Sequence, residues 1–567
     1  MGTDEKIQAL KEIIAEEAYV NAKDETIALR STGGVNERGW IFDFRRVLMQ
    51  PSVLSLIGDI FWEQYRDTYP FQIGSIEVAG IPLTIGISQR IYERGARDMS
   101  SFFIRKSRKK DGLMRMIEGK VQNNKKIILV DDIINSGKSF IRQVEVLEGL
   151  GHTVDSIWSI LRFRDNGFYE YFHKKNIAVH SLFELNDFAD SLGTKNRDFP
   201  VQKKIPMPFS VEWKFQSEHP NHFYVVPKSD PALDEERIYF GSDSGVFWAL
   251  NQEDGSVAWK KKTGFHLSKK GIFSSPIISD NCVFFGAYDG NVYALDTSTG
   301  KRRWTFMEAD WVGSSPAVAD DLGLLFVGLE FGLFKKHGAI VALDIHTGKK
   351  KWQHNMPMYT HSSPLYIKEH KQVIIGSNDG TAYLFDANTG KNIWQFQTGH
   401  NTDEELTRGF GKSDIKESFA YDATRDYIVF GNIEGRMFVI ERKTGRELFT
   451  HAADFGFYST PLIYEGKAYL TSVDKYLYCI DLDTLSLIWE WNAGARIFAS
   501  PVEIEGSIYV GANTGRLTEL DANTGRELSF ITVPERITNK VVYNKKTQRF
   551  FLPTFANEIY CLEKTET

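Results

Sequence analysis

Two adjacent carboxylates at the end of an apolar run, followed at once by a glycine-containing turn, make residues 127–139 (IILVDDIINSGKS) the most informative stretch of the chain. A turn of this kind leading into a helix offers a phosphate backbone N–H groups and the positive end of a helix dipole, and Ser136 and Ser139 add hydroxyl donors. Asp131 and Asp132 have the wrong sign for that phosphate. They suit two vicinal hydroxyls, which donate to carboxylates at close range. A phosphorylated ribose satisfies both halves. Gly137-Lys138-Ser139 looks like the end of a Walker-type P-loop, but that motif needs a glycine five residues before its last one, and position 132 is Asp. An ordinary capped βα turn would explain Ser139 but not the acid pair.

The segment resembles the phosphoribosyl pyrophosphate signature of type I phosphoribosyltransferases. That resemblance implies that Asp131 and Asp132 hold the ribose and the metal site, and that Asn135, Ser136, Gly137, Lys138 and Ser139 cradle the 5-phosphate. Asn135 stands where the family usually has Thr, Ser, Ala, Val or Asp. Residues 105–115, RKSRKKDGLMR, hold six basic side chains against one acid; such a run alone is a solvated face. Here it resembles the mobile basic loop of orotate phosphoribosyltransferases, whose RKxxKxxG pattern is met by Arg105, Lys106, Lys109 and Gly112, with Asp111 in place of the usual His. By the same resemblance, EVAGIPLTIG from residue 77 matches the pyrophosphate loop, where Ala79, Gly80 and Ile81 let backbone amides approach. RSTGGVNERGWIFDFR from residue 30 matches the N-terminal substrate segment. In RFRDNG from residue 162, Arg164 rather than Arg162 takes the place of the base-contacting arginine. The family further implies Mg2+, a homodimer that shares the basic loop between sites, and a reaction without a nucleophilic side chain.

The elements that must position these residues read as βαβ units. Ile127-Ile128-Leu129-Val130 is a buried strand, residues 140–150 a helix with Phe140, Val144 and Leu147 on one face and Gly151 as its cap, and residues 153–161 the next strand. The helix is expected to start right after Ser139. An α/β phosphoribosyltransferase-like domain over residues 1–190 follows, with a polar, proline-containing linker at 191–210.

From 211 to 567 the chain repeats itself: WALNQEDGSVAW at 248, YALDTSTGKRRW at 293, VALDIHTGKKKW at 341 and YLFDANTGKNIW at 383, with weaker copies at 438, 478 and 518. Upstream strands open at Ser275-Pro276, Ser315-Pro316, Ser363-Pro364, Thr460-Pro461 and Ser500-Pro501. A period of roughly 40 to 55 residues with four short strands per copy is the mark of propeller blades. The last segment, RFFLPTFANEIYCLE, lacks a Trp strand, while VEWKF at 211 is a Trp strand without a blade. Shared between the ends, they give an all-β propeller of eight blades, with seven as the alternative, closed by strand exchange. The ALDxxTGxxxW unit resembles the propellers of quinoprotein alcohol dehydrogenases and outer-membrane assembly lipoproteins. Its Asp, Gly and Trp are expected to serve turn geometry and packing between blades. Two interruptions, GHNTDEELTRGFGKSD at 399 and LEFGLFKKHG at 329, are expected to project from one face, where a partner could bind.

A length of 567 residues, with 42% hydrophobic and 25% charged side chains, fits an ordinary multidomain globular protein. The net charge of -6 gives no general affinity for nucleic acid or anionic membranes. Cys282, Cys479 and Cys561 show no disulfide or zinc spacing. The charged, amphipathic start MGTDEKIQALKEIIAEEAY is no signal peptide, and no run of 18 apolar residues occurs. A cytoplasmic location is expected, and a quinoprotein dehydrogenase, typically exported and carrying adjacent cysteines, is disfavoured. The sequence therefore reads as a Mg2+-dependent phosphoribosyltransferase acting on phosphoribosyl pyrophosphate and a base. The alternative is a non-catalytic protein that senses phosphoribosyl pyrophosphate in regulation or defence.

Overall fold

The computed structural model describes residues 2–21, 30–31, 34–35, 40–77, 80–105, 117–135, 137–164, 166–188, 208–217, 229–264, 271–333 and 336–565, with residues 21, 30–31, 34–35, 40–41 and 138 in backbone only. Two compact units form, one containing Met1–Lys204 and the other Ile205–Ile531 with Glu535–Thr567.

In the first unit, helix α1 (Thr3–Ile13) leads to α2 (Pro51–Tyr65), which opens on Pro51 at its first turn, where a missing N–H costs nothing. Six strands follow: β1 (Phe71–Ile76), β2 (Ser100–Ile104), β3 (Ile117–Gly119), β4 (Lys126–Ile134), β5 (Ser156–Arg162) and β6 (Ala178–Glu184). Helix α3 (Gly80–Glu93) connects β1 to β2, α4 (Lys138–Glu148) connects β4 to β5, and α5 (Glu170–Lys174) precedes β6. The sheet runs β6-β5-β4-β1-β2-β3 and is parallel except for β3. The central strands are apolar and buried on both faces, as a parallel sheet requires: Phe71, Ile73, Ile128, Val130, Trp158 and Ile160 pack with Phe61 of α2 and Leu83 and Ile87 of α3. Helix α4 starts at Lys138, two residues earlier than expected, because Gly137 takes the left-handed conformation (φ 76°) and serves as its N-cap. One carboxylate staples the helices. Asp59 of α2 pairs with Arg90 at 2.8 Å, Arg94 at 2.7 Å and Lys6 of α1 at 3.4 Å.

The second unit is an eight-bladed β-propeller: eight four-stranded antiparallel sheets, seven of them consecutive in sequence. In the eighth, Phe209–Gln216 pairs with Glu558–Lys564, the terminal strand, so the two ends of the propeller share one blade and no blade edge is left open at the join. The recurring Trp and Gly link neighbouring blades. A Cβ placed on Gly255, Gly300, Gly348 or Gly390 would lie 2.5–2.6 Å from the indole of Trp213, Trp259, Trp304 or Trp352 of the preceding blade. These indole N–H groups donate to the carbonyls of Gln252, Thr297, Ile345 and Ala387, at 2.8–3.1 Å. Only a glycine lets the turn lie flat on that ring.

The Ser of each Ser-Pro pair has a second task. Asp230 N–H donates to Ser275 Oγ, Ser275 N–H to Ser315 Oγ, Ser315 N–H to Ser363 Oγ and Thr460 N–H to Ser500 Oγ, each at 2.9 Å, and Lys540 N–H closes on Asp230 Oδ1 at 3.1 Å. Consecutive blades are thus stitched where their inner strands begin. One residue earlier, Ser229, Ser274, Ser314 and Ser362 accept the N–H of Gly241, Gly286, Gly328 and Gly376. The fifth blade has Glu417 at this position, and burial, helped by Asp230 and opposed by Lys540, pushes its carboxyl up to about 8.

The 329 interruption lengthens a hairpin, Leu324–Phe331 with His337–Asp344, and that at 399 contains a short helix, Asp403–Arg408, started by a Thr402–Glu405 capping box. All three cysteines are buried and unpaired. Among the described residues, no helix is long and apolar enough to cross a membrane.

Candidate functional site

In an open α/β sheet, ligands bind beyond the carboxyl ends of the strands where the strand order reverses. Here that point lies between β4 and β1, whose ends carry Asp131-Asp132 and the turn after Glu77. Gly80 starts α3 pressed against both strands: a Cβ there would lie 2.6 Å from Ser75 Cβ and 3.5 Å from the Val130 carbonyl. This close approach accounts for the glycine.

Asp131 is 7% exposed and paired in register with Ser159, and its Oδ1 accepts the Asp132 N–H at 3.1 Å. Asp132 Oδ1 accepts the Ile133 N–H at 2.8 Å. Burial pushes the Asp132 carboxyl up, its hydrogen bonds pull it back, and the charge of Asp43 adds to the rise. Asp43 in turn accepts from Arg45 Nε at 2.7 Å; this bond, then the Asp43 charge, raises Arg45, with Asp132 adding to the effect. Asp43 and Arg45, within the segment WIFDFR, therefore stand near enough to Asp132 to interact with it electrostatically, and neither was named as a site residue from the sequence.

Past the acid pair, Gly137 sits under two rings. A Cβ on it would meet Phe172 Cε2 at 3.1 Å and Tyr169 Cδ1 at 3.6 Å. The Tyr169 hydroxyl donates to the carbonyls of Ile134 at 3.1 Å and Asn135 at 3.0 Å. Asn135 Oδ1 accepts from Arg164 Nε at 3.3 Å, and the Arg164 guanidinium lies 5.6 Å over the Phe168 ring. Arg162, whose backbone pairs in register with Ile134, instead pairs through its side chain with Glu184 and Asn166. Arg105 at the end of β2 lies 3.8 Å from Glu77 and 3.3 Å from Glu118. Thus Asp131, Asp132, Asn135, Gly137, Gly80, Arg105 and Arg164 all stand at the carboxyl edge of one sheet, and Ser139 lies in the first turn of α4. Ala79, Lys106, Lys109, Asp111, Gly112 and Ser136 lie outside the described residues, as does the Lys138 side chain. Tyr169 and Phe172 were missed; the aromatic run FYEYF at 168–172 is the only sign of them in the sequence.

Among the described residues, no group of three or more His, Cys, Asp and Glu could hold a metal by itself. Magnesium does not need one, since it is commonly bound by one or two carboxylates together with substrate phosphates and water. Asp131 and Asp132 are of the type that fits that role, and the upward push on Asp132 comes chiefly from burial of its carboxyl, a cost that a bound cation would offset.

An α/β domain with an acid pair and a glycine turn at its switch point, followed by an eight-bladed propeller, defines the class. The N-terminal region matches orotate phosphoribosyltransferases. That of Bradyrhizobium sp. (strain ORS 278) is 26% identical over 151 residues, covering 26% of this chain and 80% of the relative. The family model described as outer membrane protein assembly factor BamB (PQQ_2) matches residues 210–376 and 378–561, more than half of the chain, and the chain belongs to that family. BamB of Shewanella oneidensis is 22% identical over 292 residues, 50% of this chain and 68% of the relative. The crystal structure of BamB from Moraxella catarrhalis superposes with a TM-score of 0.51 at 19% identity, over 63% of this chain and 99% of that one, a likeness of fold.

Proposed function

We propose that residues 1–190 form a phosphoribosyltransferase of the orotate-like class, joined through a linker at 191–210 to a propeller, 211–567, that recognises a partner or ligand. The observation that carries this reading is the Asp131-Asp132 pair, one strand tip away from a left-handed glycine at a helix start, in a domain matching orotate phosphoribosyltransferases. The C1–O bond of phosphoribosyl pyrophosphate breaks, pyrophosphate leaves with the electron pair, and a ring nitrogen of the base forms the C1–N bond with inversion and gives up its proton.

Asp131 and Asp132 accept the ribose hydroxyls and fix C1 in line with the attacking nitrogen. Asn135, Ser136, Gly137, Lys138 and Ser139 seat the 5-phosphate. Ala79 and Gly80 admit the pyrophosphate to the backbone, and Arg105, Lys106 and Lys109 stabilise its developing charge. Arg164 faces the base. Mg2+ held by Asp131, Asp132 and substrate oxygens would supply further charge neutralisation. The active form is a homodimer in the cytoplasm.

A second reading, binding without turnover as a sensor, is favoured by Glu77. This acid follows the end of β1, just before the pyrophosphate loop, and lies 3.8 Å from Arg105, which weakens a pyrophosphate seat. The test is pyrophosphate release from phosphoribosyl pyrophosphate and Mg2+ across a panel of bases, with calorimetric binding, for wild type and Asp131→Asn/Asp132→Asn. Turnover lost in the variant supports the transferase, binding without turnover supports the sensor, and no binding by the wild type removes both.

A further inference from the structure

We propose that Tyr169, Asn135 and Arg164 form a clamp that ties the phosphate loop to the base side of the site, with Tyr169 as a positioning residue; this rests on the phosphoribosyl reading above. Tyr169 is 2% exposed, and its single hydroxyl proton is shared between the Ile134 and Asn135 carbonyls, the last two before the loop turns. The Ile134 carbonyl also accepts the Phe163 N–H at 3.0 Å, so β5 and the aromatic segment hold it together. Carbonyl and N–H point to opposite sides of a trans peptide. Drawing the Ile134 carbonyl toward Tyr169 therefore turns the Asn135 N–H the other way, toward an anion in the loop. The rings of Tyr169 and Phe172 against Gly137 hold the turn from the same side.

Packing alone does not require the hydroxyl, because a phenylalanine would fill the same space. Its effect is to fix two peptide planes at the entrance of a loop whose use depends on peptide orientation. Asn135 extends the grip to Arg164. Of the residues usual at this position, Ser, Thr, Ala and Val are too short to carry an acceptor that far, and only Asp would reach Arg164 as Asn135 does. The loop is thereby held at its carbonyls, its glycine and its first side chain, all by residues 164–172. Arg164, which stands on the base side, should consequently affect phosphoribosyl binding without touching the phosphate.

The test is the calorimetric Kd of phosphoribosyl pyrophosphate with Mg2+ on the full chain, for wild type, Tyr169→Phe, Asn135→Ala, Arg164→Ala and Asn135→Ala/Arg164→Ala, with thermal unfolding of each. Tyr169→Phe should weaken binding about fivefold, the worth of one hydrogen bond. Arg164→Ala should weaken it about threefold or more, and the double variant no further than Asn135→Ala alone, because the two act through one contact. Wild-type binding with unchanged affinity in Tyr169→Phe and Arg164→Ala, or additive losses in the double variant, overturns the clamp and leaves the phosphoribosyl reading intact. A wild type that binds nothing removes both. Should Tyr169→Phe fail to fold, Arg164→Ala and the half-open contact to exposed Asn135 decide the question.

Discussion

Gly137 and Gly151 bound the same helix, both with positive φ (76° and 82°), and they differ in surroundings. Around Gly151 nothing lies within 4 Å of where a Cβ would be, whereas at Gly137 the Phe172 ring lies at 3.1 Å. Gly151→Ala therefore meets only the cost of the left-handed backbone, about 1–2 kcal/mol. Gly137→Ala meets that cost and a contact that must open by a few tenths of an ångström, about 2–3 kcal/mol in all. The two also differ in kind. Relaxing Gly137 displaces the ring that carries the loop, so phosphoribosyl pyrophosphate affinity should fall about tenfold or more, the equivalent of 1.4 kcal/mol, while Gly151→Ala should bind as wild type. Urea unfolding gives the first comparison and titration calorimetry with Mg2+ the second. Equal stability losses with unchanged affinity in both variants would refute the claim that the aromatic segment shapes the loop.

In the propeller, Gly390→Ala should cost about 2–4 kcal/mol, because its Cβ would lie 2.6 Å from Trp352, and Gly323→Ala, with positive φ and open space, only about 1–2 kcal/mol; differential scanning calorimetry separates them. Asp59 is pushed up by burial but held down to about 2 by its hydrogen bonds to Arg90 and Arg94 and by the charge of Lys6, so the stability it contributes, about 2 kcal/mol, is present above pH ~4 and lost as pH falls toward 2. Asp59→Asn should be less stable than wild type at pH 7 and converge with it near pH 2. Glu417 runs the other way: with its folded carboxyl raised to about 8, the folded state holds a proton that the unfolded chain has released, and stability falls as pH rises from about 4.5 to 8. Glu417→Gln should match wild type in melting temperature near pH 5 and exceed it near pH 8.5.

What the sequence made legible was whatever is local. An apolar run ending in two acids needs no tertiary partner to be read as the carboxyl end of a strand; Asp131-Asp132 lie in the last four residues of β4, which runs on past them to Ile134. A Trp that returns at a near-constant distance from a Thr-Gly turn announces a blade, and the unmatched fragments at the two ends, RFFLPTFANEIYCLE and VEWKF, sufficed to count the eighth. Contacts between segments far apart in the chain were not legible. Asp43 comes to Asp132 across some ninety residues, and Tyr169 reaches back 35 residues to the Ile134 carbonyl. A tyrosine in an aromatic run looks like core until the acceptor of its hydroxyl is known. The start of α4 was misplaced for a related reason: a glycine can serve as a left-handed cap or as the loop's middle, and only the dihedral angle tells which.

The propeller supplies its own control for separating fold from use. Three residues before the inner strand in the first four blades, Ser229, Ser274, Ser314 and Ser362 meet the same demand, a hydrogen bond to the N–H of a strand-end glycine. Glu417 occupies that position in the blade that also follows the Asp403–Arg408 insertion. Its neighbour Lys416 pairs with buried Asp414 at 2.8 Å and approaches His361, which pairs with Glu330 of the lengthened hairpin at 3.2 Å. Burial lowers Lys416 and raises Asp414. The repeat shows that closing a blade requires none of these charges, so their cost is offset elsewhere. The chain of pairs running from Glu330 through His361 and Lys416 to Asp414 joins the two interruptions of the repeat, and that accounts for their occurring in neighbouring blades. The two segments, expected to project from one face, are linked by these polar pairs, and a variant that shortens either should lower the melting temperature by loosening the other, as scanning calorimetry would show.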